Sequence, residues 1–249
     1  MTDVARWRTL LGRSTVLWAG AHGYTEHETR WVALSGCKTI EFNVALCHHQ
    51  SERGAEVQRT LDEIQAAGVP TVVMIAGTAL GDVQVLVEAG WVCVGTMPMM
   101  ALELEPRELD PAVRRLGPDE LPAARHLVDL AFYDSPELAA VAVPDTAVRS
   151  EGQSVWGLFV DEEIVSCMAT ARVEEASGWW SLATPPNLQG RGYGGRLFRG
   201  VLAQEAVEGV AVALAWCTPA GRRATTSVGF HEVERWQLWS RPRWVLGRS

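Results

Sequence analysis

The chain has 249 residues, 47% hydrophobic and 21% charged, enough to bury the core of one large domain or of two ordinary ones. Thirty acidic against 22 basic residues leave a net charge of −8, which argues against a general nucleic-acid binder and is compatible with a cationic amine substrate. No apolar run approaches a membrane span and the N-terminus lacks a basic-then-apolar signal pattern, so no membrane contact and a cytoplasmic location are expected.

In chain order, Phe42 to Leu46 reads as a strand, Ala55 to Ala67 as a helix and Val69 to Ala76 as a second strand. Ala89–Gly90–Trp91 then precedes another strand pattern. Between the first strand and the helix lies Cys47–His48–His49–Gln50–Ser51–Glu52–Arg53–Gly54, with one glycine. Adjacent histidines in a strand face opposite ways and no third ligand is evident, so no metal is expected there. Glu105 to Pro111, charged and broken by Pro106 and Pro111, reads as a linker that divides the chain into domains 1–110 and 111–249.

Beyond it, Val113 to Leu116 reads as a strand, and Leu121 to Tyr133 and Pro136 to Val148 as two helices. Val155 to Val160 and Ile164 to Val173 form a hairpin pattern around an acidic turn. Trp179 to Thr184 is a strand, Tyr193 to Val207 a helix and Val210 to Cys217 another strand. Val228–Gly229–Phe230 precedes a last strand, 139 residues after Gly90 and its aromatic neighbour. The order strand, helix, strand, helix, Gly-aromatic, strand thus occurs twice. Five cysteines (Cys37, Cys47, Cys93, Cys167, Cys217), odd in number and without a C-x-x-C, lie in apolar stretches and are expected reduced and buried.

The stretch Pro185–Pro186–Asn187–Leu188–Gln189–Gly190–Arg191–Gly192–Tyr193–Gly194–Gly195–Arg196 joins strand to helix. Glycines let a backbone approach a bulky anion, and the N–H groups that open a helix point at it with the positive end of the dipole. A pyrophosphate ligand is the first implication, with Arg191 and Arg196 adding charge; Arg196 is equally a solvated helix residue. Gly190, Gly192 and Gly195 fit a dinucleotide-binding G-x-G-x-x-G by letter. The next strand, however, ends in Ala215–Trp216–Cys217–Thr218, without the ribose-binding carboxylate. No Lys-Ser/Thr follows the glycines, so a Walker A loop fails too.

Gln189-x-x-Gly192-x-Gly194, after a strand and a proline, resembles the acetyl-CoA motif of the GCN5-related N-acetyltransferases. The resemblance covers most of residues 112–241 and implies an α/β fold of two acyl-CoA N-acyltransferase-like lobes. Each would be a mixed, strongly twisted sheet flanked by helices, the N-terminal one degenerate because its glycine turn is missing. It implies that Leu182, Ala183 and Thr184 pair with the pantetheine arm of acetyl-CoA. Gln189, Gly190, Arg191, Gly192, Tyr193, Gly194, Gly195 and Arg196 would take its phosphates. The acceptor would be an amine of a small molecule, peptide or protein.

The family often has a Tyr four residues before the Gly-aromatic glycine, and here Thr225 stands there; a family Asn falls near Thr218. An alkyl hydroxyl is a poor proton donor to a thiolate, so alignment of thioester and amine would supply much of the rate. Glu174 and Glu175 are the nearest candidate bases, and Ser181 and His231 are further polar candidates. Most of the 11 tryptophans are expected in core or domain-interface packing. Trp179 and Trp180 neighbour the expected acetyl site, and one or two of the 11, which the sequence does not single out, would line an acceptor pocket, since an indole face suits an amine or aromatic group. The departures at Thr225 and Thr218 favour a second reading, a non-catalytic acyl-CoA-binding or regulatory protein. A nucleotide or NAD binder is the third.

Overall fold

These patterns fold, in a computed structural model that describes residues 3–20, 23–132 and 135–246, into strands and helices close to those expected from residue 42 on, preceded by a helix and two strands that were not expected. In chain order the elements are α1 (Val4–Ala19), β1 (Gly23–His27), β2 (Arg30–Leu34), β3 (Asn43–Cys47), α2 (Ala55–Ala67) and β4 (Val72–Ile75). There follow α3 (Val83–Glu88), β5 (Val92–Glu103), β6 (Val113–Arg115), α4 (Leu121–Phe132) and α5 (Pro136–Ala142). Next come β7 (Gln153–Val160), β8 (Glu163–Val173), β9 (Ala176–Ala183), α6 (Tyr193–Val207) and β10 (Val212–Trp216). The last elements are α7 (Pro219–Ser227), β11 (His231–Ser240) and α8 (Pro242–Leu246).

The chain forms two compact units, one of residues 1–18 and 100–232, the other of 19–99 and 233–249. Each draws on sequence from both sides of residue 110, where the linker suggested a simple boundary. The cause lies in the chain ends: α1 is tied to the β8–β9 turn, and β11 pairs antiparallel with β4, Leu238 opposite Met74.

In the first unit the strand order is the end of β5, then β10-β9-β8-β7-β6, with β9 and β10 parallel and β6 to β9 antiparallel. Its core joins Trp156, Leu158 and Met168 of the sheet to Leu197, Phe198, Val201 and Leu202, a helical stripe on α6. The β7–β8 hairpin turns through Asp161 and Glu162, both with positive φ (50° and 66°), which matches the twist of its strands. The helix expected over 136–148 ends at Ala142, because Pro144 forces Val143 out of helical geometry; Asp145–Val148 resumes as a 3-10 turn.

In the second unit the order is β1-β2-β3-β4-β11, antiparallel except for the parallel pair β3–β4 joined through α2. Val57, Leu61 and Ile64 of α2 pack on Ile75, Leu86, Trp91 and Trp239. All five cysteines are free; Cys47 and Cys167 are buried, Cys37 and Cys217 half-buried, and Cys93 is exposed, against expectation. Cys93 lies near the start of β5, where Val92 and Val94 are exposed as well. No described helix is long and apolar enough to cross a membrane.

Candidate active site

The site is built on the end of β9. Its register with β10 runs from Ala176 opposite Val212 to Gly178 opposite Leu214 and stops there, although both strands continue. On its other edge, Ala169 of β8 faces Trp180 and Cys167 faces Ala183, so Ser181 and Leu182 together oppose Met168. Ser181 takes a left-handed φ of 54°. An extra residue in one strand bends it and increases its twist. The end of β9 therefore leaves β10, and a wedge opens between two parallel strands whose facing edges do not pair across it.

Pro185 and Pro186 lead from β9 into the glycine turn. Ser166 Oγ donates to the Ala183 carbonyl (2.9 Å) and receives the Thr184 hydroxyl (2.8 Å), while Gln189 Nε2 donates to the Thr184 carbonyl (2.9 Å). Gln189 of the motif thus braces the turn from within. Gly190 and Gly192 have φ of 77° and 81°, and a β-carbon on either would meet nothing within 4 Å. Their requirement is for backbone conformation rather than room. Gly192 is the N-cap of α6 and brings no side chain to the first N–H groups of that 15-residue helix. The positive end of the dipole is left open to an anion.

The corresponding turn of the second unit is closed by its own side chains. The Ser51 N–H donates to Asp82 Oδ2 (2.9 Å), Ser51 Oγ accepts from the Glu56 N–H (3.0 Å), and the Gln50 N–H donates to Thr78 Oγ1 (2.9 Å). Gly54, the N-cap of α2, has Val85 Cγ2 only 2.4 Å from where its β-carbon would stand. Within this turn the Asp82 carboxylate takes the Ser51 N–H, and the Ser51 hydroxyl takes an N–H of the first turn of α2. His48 is buried and His49 exposed in this turn.

Wedge and glycine turn share one cleft of about 970 Å³, within the first unit. Of the residues singled out in the sequence, it brings together Trp179, Trp180, Ser181, Leu182, Thr184, Gln189, Gly190, Gly192, Tyr193, Gly194, Gly195, Thr218 and Thr225. Ala183 is buried beside them, and Arg191 is exposed with Nη2 3.4 Å from the Asn187 carbonyl. Arg196 does not line the cleft: its guanidinium makes a two-point ion pair with Asp110 (2.6 and 3.0 Å). That pair holds the Asp110 carboxyl below the usual range and ties the linker to α6.

The candidate bases are elsewhere. Glu174 and Glu175 form the β8–β9 turn, at the far end of β9 from Ser181, roughly 20 Å away at about 3.3 Å per residue. Glu174 is paired with Arg6 (3.0 Å) and Arg13, and Glu175 with Arg6 (2.6 Å), which holds the Glu175 carboxyl down at about 2. A carboxylate so tightly held is a poor base near neutrality. His231 is exposed at the start of β11 and does not line the cleft. Thr225 does line it, buried, but its hydroxyl is back-bonded to the Gly221 and Arg222 carbonyls (3.1 and 3.0 Å), with Cys217 Sγ 3.8 Å away. The Thr218 hydroxyl caps α7 by accepting from the Gly221 N–H (3.2 Å).

Three features were not anticipated. Trp216 and Cys217 at the end of β10 line the cleft, as do Ala131 and Phe132 at the end of α4. Trp180 is clamped, with Trp18 of α1 stacked on it (4.7 Å, 10°) and Trp216 edge-on (4.7 Å, 73°). Below the cleft, Glu205 of α6 is fully buried and accepts from Ser177 Oγ (2.7 Å) and Trp179 Nε1 (2.9 Å); burial pushes its carboxyl up to about 7. Its place was detectable, because it continues the buried Leu197–Val201 stripe by one helical turn.

No protein-family model matches the sequence, and no curated protein is similar to it. Solved structures are similar to it in fold. A GCN5-related N-acetyltransferase from Kribbella flavida superposes with a TM-score of 0.71 at 17% identity, covering 97% of this chain and 96% of its own. A GCN5-related N-acetyltransferase from Sphaerobacter thermophilus gives 0.63 at 15% identity, covering 86% of this chain and 76% of its own. A putative acetyltransferase of the same family from Novosphingobium aromaticivorans gives 0.58 at 14% identity, over 96% and 99%. The protein has the fold of the GCN5-related N-acetyltransferases, a mixed α/β architecture of twisted sheet flanked by helices.

Proposed function

We propose that the protein is an acetyl-CoA-dependent N-acetyltransferase whose donor and acceptor meet in the cleft of residues 111–249. The observation that carries this reading is that the wedge between β9 and β10 and the uncapped N-terminus of α6 open into one cavity. A ligand with amides at one end and a pyrophosphate at the other fits such a pair. The edge of Leu182 to Thr184 would take the pantetheine amides, and the N–H groups of Gln189 to Gly195 the phosphates. Acetyl-CoA would supply an acetyl thioester at the wedge. Arg196, engaged by Asp110, acts by anchoring α6 rather than by touching phosphate.

Among the described lining residues there is no carboxylate and no imidazole. Catalysis then rests on alignment of amine and thioester, with Ser181 as a hydroxyl at hand for proton relay and the Thr225 hydroxyl held by the Gly221 and Arg222 carbonyls. The degenerate second unit, its turn closed by Asp82, binds no CoA and serves as the structural partner of a tandem arrangement in the cytoplasm. The engaged Thr225 hydroxyl favours one other reading, a regulatory acyl-CoA binder without turnover.

Calorimetric titration with acetyl-CoA, CoA and NAD, followed by thiol release on a panel of amines, tests both. Acetyl-CoA binding with amine-dependent thiol release is the expected result. Binding without release supports the regulatory reading, and a preference for NAD overturns both.

A further inference from the structure

On the reading just given, the acceptor end of the cleft has a definite chemistry. It is framed by Trp180 of β9, by Trp216 at the end of β10 and by Phe132 at the end of α4. Trp180 is 5% exposed and held between Trp18 and Trp216, while Trp216 is half-buried and Phe132 46% exposed, so the last two offer ring surface to a ligand. The stack on Trp18 fixes the wall in place, and little side-chain entropy is left to lose on binding. Charge is nearly absent: Arg223 is the single charged side chain among the described lining residues. Its neighbour Arg222 is taken up by Glu232 at 3.1 Å.

We infer that the acceptor is a single amine carried on an aromatic or apolar body, and that Trp216, supported by Trp180, determines that specificity. A polyamine, an aminoglycoside or a lysine among basic neighbours would bring several ammonium groups into a cleft whose described lining residues hold no carboxylate to receive them and one guanidinium to repel them. One ammonium is accommodated on an indole face, and the carbon skeleton behind it buries its area against rings. In the transfer the bound ammonium first gives one proton to water, and the free amine nitrogen then bonds to the acetyl carbon as the carbon–sulfur bond breaks. Sulfur leaves with the electron pair, and the proton lost by nitrogen ends on the thiol.

The test uses the full chain and two measurements. Acetyl-CoA binding is followed by calorimetry, and kcat/KM by thiol release with 2-phenylethylamine, n-propylamine and spermidine. The expected result is that 2-phenylethylamine exceeds both others by about tenfold or more, the effect of burying one ring. Trp216→Leu should cut that preference at least about fivefold, with circular dichroism reporting whether the variant folds. If it does not, the panel on the native chain decides alone. Spermidine equal or preferred, or no amine accepted while acetyl-CoA still binds, overturns the inference and leaves the donor site standing. Failure of acetyl-CoA to bind overturns the proposed function and this inference with it.

Discussion

Gly192 joins a backbone requirement to an uncapped helix end. Its φ of 81° suits glycine, and its lack of a side chain leaves the N-terminus of α6 uncapped. Gly192→Asp would add roughly 1–2 kcal/mol of backbone strain and place a carboxylate where the phosphates are proposed to bind. The expected outcome is a loss of acetyl-CoA affinity of about 100-fold or more, read by calorimetry, with a melting temperature lowered by only a few degrees. Retained affinity would refute the placement of the phosphates. The glycines, the glutamine and the prolines of this turn were legible because their roles are local, set by φ and by the next few residues. Glu174 was misleading for the opposite reason. It is close in sequence to β9, but a strand carries its two ends far apart, and Arg6 and Arg13 hold it at the wrong one.

At the scale of elements, α6 joins the glycine turn to the core. Gly200 lies on its buried face, and a β-carbon there would stand 2.5 Å from Val113 Cγ2 and 2.6 Å from Val113 Cβ of β6. Alanine would improve helix propensity by up to about 1 kcal/mol, but forcing α6 off β6 costs about 1–3 kcal/mol. Overpacking outweighs propensity, so Gly200→Ala should lower the midpoint of urea unfolding; a raised midpoint would contradict this packing.

Glu205, on the same helix, makes stability depend on pH. Its carboxyl ionises near 4.5 in an ordinary setting and at about 7 when buried. Between those values the folded state binds the proton more tightly than the unfolded chain. Stability is therefore greatest at the acid end of the window, falls as pH rises through it, and levels above about 7 with a loss on the order of 3 kcal/mol. Melting temperatures between pH 5 and 8 should follow that decline, and Glu205→Gln should flatten it. An equal slope in both proteins would mean that another group is responsible.

For the molecule as a whole, one element order occurs twice along the chain, the two occurrences differing at one turn and not coinciding with the two compact units. Both run strand, helix, strand, helix, Gly-aromatic, strand, from β3 to β5 and from β9 to β11. In one the helix N-terminus is open, and in the other Asp82 and Ser51 fill the turn. The expected stoichiometry is therefore one acetyl-CoA per chain, and His48→Ala with His49→Ala should leave the affinity within about twofold. Two sites, or a large loss in the double variant, would mean that the second unit shares the ligand.

By itself the sequence determined what depends on near neighbours. Strand alternation, helical stripes, the glycine turn and the order of elements all follow from spacing along the chain, because backbone geometry and burial periodicity are local. Only the tertiary structure decided the rest. The bulge at Ser181 that opens the wedge exists because β8 and β9 are out of register by one residue. The docking of α1, which sets Trp18 behind Trp180 and holds Glu174 away from the cleft, depends on pairs more than 160 residues apart. Arg196, which by sequence is equally a phosphate contact or a solvated helix residue, is engaged by Asp110, 86 residues away. Contacts of that range carry no periodic trace, since they are chosen by packing and charge complementarity between surfaces that meet only when the chain has folded.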